Sequence, residues 1–249
     1  TINAVYLDAE GQIFDPLNGR ADLAARRLQF VGAAADRVQE DALRMLRYCR
    51  FSIDYSDGHY DGEAMNALTS FAALAARLSG ERVAMELRKI LTHGACAPAV
   101  GLMHQTGLDK ASLGCDLLVA RVPFNPQDLR VVTADFGWLV LLAAILPQAD
   151  ATAVLQRLRL SRAEEKFCGQ LAQSNPAQIF AELSAPNWRQ SAFYMDGRAA
   201  AYYACAAWRL GEILRPQHYQ LLHQWQAPQL PISGADLLSH GVDNGPALG

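Results

Sequence analysis

Glu40-Asp41-Ala42-Leu43-Arg44-Met45-Leu46-Arg47-Tyr48-Cys49-Arg50-Phe51 is the stretch from which the rest of the chain can be read. A carboxylate pair opens it and three arginines follow at three-residue spacing. On a helix that spacing keeps successive arginines near one another on a slowly winding stripe. Leu43, Met45 and Leu46 fall between them and can face a core. An arginine fork suits phosphates and base edges, and a carboxylate accepts from an exocyclic amine. A helix carrying both can read a nucleotide. The same spacings also fit simple surface ion pairs, Arg37 with Asp41 and Glu40 with Arg44, each four residues apart.

The pattern around this stretch predicts a mainly α protein. Ile2–Leu7 and Gln12–Phe14 read as two short strands joined at Asp8-Ala9-Glu10-Gly11. Ala21–Arg27 suits a short helix, and Asp36–Phe51 a long one. Glu63–Arg77 reads as the next helix, broken at Leu78-Ser79-Gly80. Ser79 is a good N-cap for a further helix with Arg82, Glu86 and Lys89 on its polar side and Val83, Leu87 and Ile90 on its apolar side. Thr92-His93-Gly94 ends that helix. Helices are then expected near 97–106, 127–146, 149–157, 161–173, 176–183, 188–195 and 198–211, separated by prolines. Gln217–Pro231 suits a last helix and linker, and Ser233-Gly234-Ala235-Asp236-Leu237 a capped short helix.

Composition bounds the function. Net charge is −3, so no global basic field advertises a nucleic-acid partner. Locally, residues 20–50 hold seven arginines against four acids. Arg157, Arg159, Arg162, Lys166, Trp188 and Arg189 are the later candidates for RNA contact, and solvated helix faces account for them equally well. The five cysteines are widely spaced, without a Cys-x-x-Cys pair, which fits reduced core thiols in a cytoplasmic protein. Trp138–Leu146 is apolar but too short to span a membrane, and no membrane partner is expected. The six histidines include no His-Asp dipeptide, and surface or capping roles suit them. Asp15 and Asp22 suit turn and cap positions better than metal ligation.

The order of motifs resembles the class II tRNA nucleotidyltransferase and bacterial poly(A) polymerase family, which includes the CCA-adding enzymes. The resemblance lies in Thr1-Ile2-Asn3-Ala4, Asp15-Pro16-Leu17-Asn18-Gly19-Arg20-Ala21-Asp22-Leu23 and Arg26–Gly32. It continues through the Glu40–Arg47 segment and Leu78-Ser79-Gly80-Glu81-Arg82 to Ile90, and returns in Ile232–Leu237. It is close over about the first ninety residues; residues 100–230 match only in being helical and alanine-rich.

This resemblance implies a chain divided into residues 1–27, a remnant of the nucleotidyltransferase head, residues 28–95, a helical neck with the nucleotide template, and residues 96–249, a helical body and tail for tRNA. It implies that Asp41 accepts from the amino group of cytosine or adenine while Arg44 donates to the adjacent ring nitrogen. Arg47 and Arg50 then hold phosphate or sugar. Glu40, Ser79, Glu81, Arg82 and Glu86 are expected to support that template. CTP and ATP are the implied substrates and Mg²⁺ the implied metal, held by an Asp-x-Asp pair that in the family precedes the position of Thr1. No Asp-x-Asp occurs here, so neither catalytic nor metal-binding residues are assigned, and residues 1–249 alone are expected to be inactive. The chain thus reads as a piece of a longer enzyme. Two alternatives remain: a bacterial poly(A) polymerase, and a non-catalytic helical RNA-binding protein.

Overall fold

A computed structural model describes residues 5–123 and 137–228. Strands β1 (Tyr6–Leu7) and β2 (Ile13–Phe14) pair antiparallel, Tyr6 opposite Phe14 and Leu7 opposite Ile13. Asp8 closes the turn by accepting from Gln12 N–H at 2.6 Å, and Gly11 supplies the left-handed residue (φ 83°). Helix α1 (Gly19–Ala24) follows, its start held by the Asp15 carboxylate, which accepts from Gly19 N–H at 2.7 Å and Arg20 N–H at 2.9 Å. Asp22 is not a cap. It is buried, and it accepts from Arg27 Nε at 2.8 Å and Gln29 Nε2 at 2.7 Å, tying the segment after α1 back onto the helix.

The long helix expected over Asp36–Phe51 is two helices, α2 (Ala34–Glu40) and α3 (Leu43–Tyr55). The helix expected over Glu63–Arg77 is likewise α4 (Gly62–Ser70) followed by a 3-10 turn, Ala72–Arg77. Helix α5 (Gly80–Leu91) begins at Ser79, whose hydroxyl accepts from Arg82 N–H. The apolar side of α5 is as the periodicity predicts: Val83, Leu87 and Ile90 are buried. Glu86, expected on the polar side, is also fully buried, because α3 lies across it.

Helices α6 (Ala97–Gln105) and α7 (Leu108–Leu113) complete the first half, the second of them beyond what the sequence pattern predicts. Helix α8 (Gly137–Ile145) is the buried apolar helix anticipated from Trp138 to Leu146; the expected stretch 127–136 before it lies outside the described residues. Then come α9 (Ala151–Leu158), α10 (Arg162–Gln173), α11 (Pro176–Ser184), α12 (Arg189–Phe193), α13 (Ala199–Leu210) and α14 (Pro216–Gln224). Alanines on α13 allow close approach by α8 and α11. The helix expected over 233–237 lies outside the described residues, as does Asn3. Among the described residues, no helix is long and apolar enough to cross a membrane.

All five cysteines are free and buried. Burial pushes their thiols up, to about 12 for Cys96 and Cys205 and to about 11 for Cys115. A buried, protonated thiol is a poor nucleophile. A disulfide-exchange reagent at pH 8 is therefore expected to label none of them within minutes in the native protein and all five in denaturant; prompt labelling of the native chain would contradict this packing.

Candidate nucleotide-reading site

The break between α2 and α3 falls on Asp41, whose backbone is extended (φ −152°, ψ 105°). Its side chain causes the break: Asp41 Oδ1 accepts from Leu43 N–H at 3.0 Å, offering the backbone a local partner in place of the helical one. Arg82 Nη2, from α5, donates to both carboxylate oxygens at 3.0 Å. Burial raises the Asp41 carboxyl, and the Leu43 N–H and Arg82 guanidinium more than offset it, leaving the pKa below the ordinary aspartate value. Asp41 is thus a fixed anion and an acceptor only.

Arg44, one turn into α3, reaches back across the break. Its Nη1 donates to the Arg37 carbonyl at 2.8 Å, closing the C-terminus of α2, and to Glu40 Oε2. Arg37 Nη1 donates to the same Glu40 oxygen at 2.6 Å. Of the two surface ion pairs the spacing allowed, Glu40–Arg44 forms; Arg37 turns to Glu40 because the helix ends before Asp41.

Further along α3, the arginine stripe meets Glu86. Arg50 Nε donates to Glu86 Oε2 at 2.8 Å, Lys89 Nζ donates to Oε1 at 2.9 Å, and Arg47 Nε lies 3.8 Å from Oε1. The glutamate is 0% exposed, the three cations 23–48%. Burial pushes the Glu86 carboxyl up, but the hydrogen bonds and charges of Arg50 and Lys89 hold it below the ordinary glutamate value. Arg50 also lies over the Phe51 ring, 4.1 Å from its centroid. On the opposite side of α3, Tyr48 donates to the Leu28 carbonyl at 3.0 Å and stacks on Phe30, which fixes the helix against the segment after α1.

The arrangement is a carboxylate and four basic side chains, Arg44, Arg47, Arg50 and Lys89, along one helix and its neighbour. Arg82 and Glu86 meet α3 directly. Ser79 caps its own helix, and Glu81 faces the other way, accepting from Arg159 at 3.1 Å. In the sequence Arg37 reads as a surface ion-pair partner and Lys89 as a polar-face residue, neither as part of the site. Their signal was available only as i,i+3 pairs with Glu40 and Glu86.

The basic residues of the second half separate into two kinds. Arg157 donates to the carbonyls of Ala76 and Leu78, Arg159 pairs with Glu81, and Trp188 is buried beneath Arg189. Arg162 and Lys166 line an open cleft of about 360 Å³ between α9 and α10. Among the described histidines, His59 pairs with Asp57, His93 with Asp54 and His218 with the Leu183 carbonyl, and His223 stacks on Tyr219. His104, Asp109 and Asp116 form the one three-residue group of potential metal ligands among the described residues. The buried Asp109 there already accepts from Leu117 N–H and Lys110 N–H. With no Asp-x-Asp in the sequence, these residues do not fit a two-metal nucleotidyltransfer centre.

Residues 61–113 match the family model described as the probable RNA and SrmB-binding site of polymerase A. The whole chain aligns with the mouse mitochondrial CCA tRNA nucleotidyltransferase 1 at 33% identity over 258 residues, covering 58% of that protein. It aligns with the CCA-adding enzyme of Limosilactobacillus fermentum at 28% identity, covering 62%. The fold matches the Bacillus stearothermophilus CCA-adding enzyme, solved in complex with CTP, with a TM-score of 0.74 over all of this chain and 64% of that one, at 24% identity. The chain has the mainly helical fold of the corresponding part of the CCA-adding enzyme. It is similar along its whole length to class II tRNA nucleotidyltransferases, and it spans less than two thirds of the length of these relatives.

Proposed function

We propose that this chain is the base-selecting and tRNA-holding part of an enzyme that adds CCA to tRNA 3′ ends from CTP and ATP. The observation that carries this reading is the Asp41 carboxylate, held ionised at a helix break with Arg44 three residues on. Cytosine and adenine each present an amino donor beside a ring-nitrogen acceptor. Asp41 accepts from the first and Arg44 donates to the second, so one pair serves both bases. Uracil and guanine present the reverse polarity, and each hydrogen bond left unmet in such a site costs about 1–3 kcal/mol.

Arg44 leaves its bond to Glu40 or the Arg37 carbonyl to engage a base, and Glu40 keeps the guanidinium nearby between turnovers. Arg47 and Arg50 face the polyphosphate or sugar, and Lys89 adds a third cation at the same end. Glu86 and Arg82 hold these groups in place, and Ser79 and Glu81 fix the start of α5. Residues 1–27 belong to the head, 28–95 form the neck, and 96–249 are the body and tail that hold tRNA. The Mg²⁺ that supports nucleotidyl transfer is bound by residues outside this set. Five buried thiols suit a reducing, cytoplasmic setting.

The test is extension of a tRNA that ends at its discriminator base by the full-length gene product, followed by product sequencing. Addition of cytidine, cytidine, adenosine is expected. Runs of adenosine would make the protein a poly(A) polymerase, and no extension would leave a helical RNA-binding protein. The 249-residue chain alone is expected to add nothing.

A further inference from the structure

Helix α5 has two working faces. Arg82, Glu86 and Lys89 turn toward Asp41 and the α3 arginines; Glu81 and Arg88 turn toward the joint between α9 and α10. At its N-terminus α5 touches α9 without any side chain between them. A Cβ on Gly80 would stand 1.8 Å from the Arg157 carbonyl oxygen and 2.9 Å from its carbon. Both are backbone atoms, so no rotamer change relieves the contact. The Arg157 guanidinium meanwhile donates to the Leu78 carbonyl at 2.6 Å and the Ala76 carbonyl at 3.2 Å. One residue of α9 therefore grips the end of the 3-10 turn with its side chain and the start of α5 with its main chain.

The next residues extend this seat. Arg159 ends α9 in the left-handed region (φ 51°, ψ 48°), an uncommon conformation for arginine, and pairs with Glu81. Ser161 and Glu164 form a capping box at the start of α10, and the same Glu164 carboxylate also pairs with Arg88. Residues 157–164 thus hold α5 near both ends. They lie outside every motif that carries the family resemblance.

We propose that Gly80 and Arg157 are positioning residues for nucleotide selection: the 157–164 segment of the body sets where α5 places Arg82 and Glu86, and through them Asp41 and Arg50. This rests on the reading that Asp41 and Arg44 recognise the base. A methyl at Gly80 forces α5 and α9 apart by about 1.5 Å, and a hydrogen-bonded fork does not keep its geometry through a shift of that size.

The experiment compares kcat/KM for CTP and UTP in single-nucleotide addition to tRNA lacking CCA, using the full-length gene product. Gly80→Ala is expected to lower the CTP-to-UTP ratio about tenfold and Arg157→Ala about threefold, with Arg157→Lys recovering most of it because a donor to the Leu78 carbonyl remains. Gly169→Ala, on α10, is the control: its Cβ meets Leu155 Cδ1 at 3.7 Å, an ordinary contact, and the ratio is expected to stay at wild type. An unchanged ratio in Arg157→Ala, with circular dichroism showing a folded protein, would overturn the seat alone, even if Gly80→Ala does not fold. A wild-type protein that adds no cytidine, or shows no preference for CTP, would overturn the base-reading assignment and this proposal with it.

Discussion

Substituting alanine for Asp41 is expected to lower the preference for CTP over UTP by about 10- to 100-fold, equivalent to about 1.4–2.8 kcal/mol. In the proposed reading the carboxylate is the acceptor that a cytosine or adenine amino group meets, and a uracil carbonyl facing it is repelled. Removing it erases both effects together. It also releases Arg82, whose guanidinium then presents donors where an acceptor stood. The loss of stability is expected to be small, because the Asp41–Arg82 pair is partly exposed (31% and 44%). Asp41→Asn separates selection from local folding. The amide oxygen still accepts from Leu43 N–H, so the helix break is kept, while the charge is gone. Its selectivity is expected to fall nearly as far as that of the alanine variant, with the magnesium dependence of addition unchanged. Retained CTP preference in both variants would reduce Asp41 to a helix-breaking residue.

Replacing Glu86 by alanine is expected to cost about 3 kcal/mol of stability, at the low end for losing one partner of a buried ion pair. The low end applies because Arg47, Arg50 and Lys89 are partly exposed and regain water once their shared anion is gone. For a domain of this size that corresponds to a fall in Tm of about 6–12 °C. The pH dependence follows from the lowered Glu86 pKa. A carboxyl whose folded value lies below its unfolded value, about 4.3, stabilises the fold above that pH and loses the contribution as pH falls through the folded value. Between pH 7 and pH 3 the wild type should therefore lose more stability than Glu86→Ala does. Denaturant melts at the two pH values measure this directly. A variant within 0.5 kcal/mol of wild type at pH 7 would show that the cluster is solvated surface charge.

Much of the helical scaffold was legible because its signals are local. Ser79 before an apolar-periodic run, the proline that opens α11, and the apolar stretch from Trp138 each mark an element without reference to the rest of the chain. What was not legible depends on partners far away in sequence. Asp36–Phe51 reads as one helix because nothing in its periodicity registers that the Asp41 side chain takes the Leu43 amide, or that Arg82, 41 residues on, holds the carboxylate there. Glu86 sits among polar residues by spacing, and only α3 crossing over it makes it a buried anion. Arg157 carried the same misdirection: a cation on an exposed-looking helix, it serves two backbone carbonyls some eighty residues upstream.

The Glu86 cluster has an electrostatic corollary. One carboxylate is shared by three cations, which gives the cluster an excess of two positive charges between α3 and α5 in a chain whose overall charge is negative. Because the carboxylate pins the cations, their field is directional before any ligand arrives, and little side-chain entropy remains to be lost on meeting one. A polyanion approaching this face is then drawn toward the cluster, at a rate that falls as ionic strength shortens the screening length.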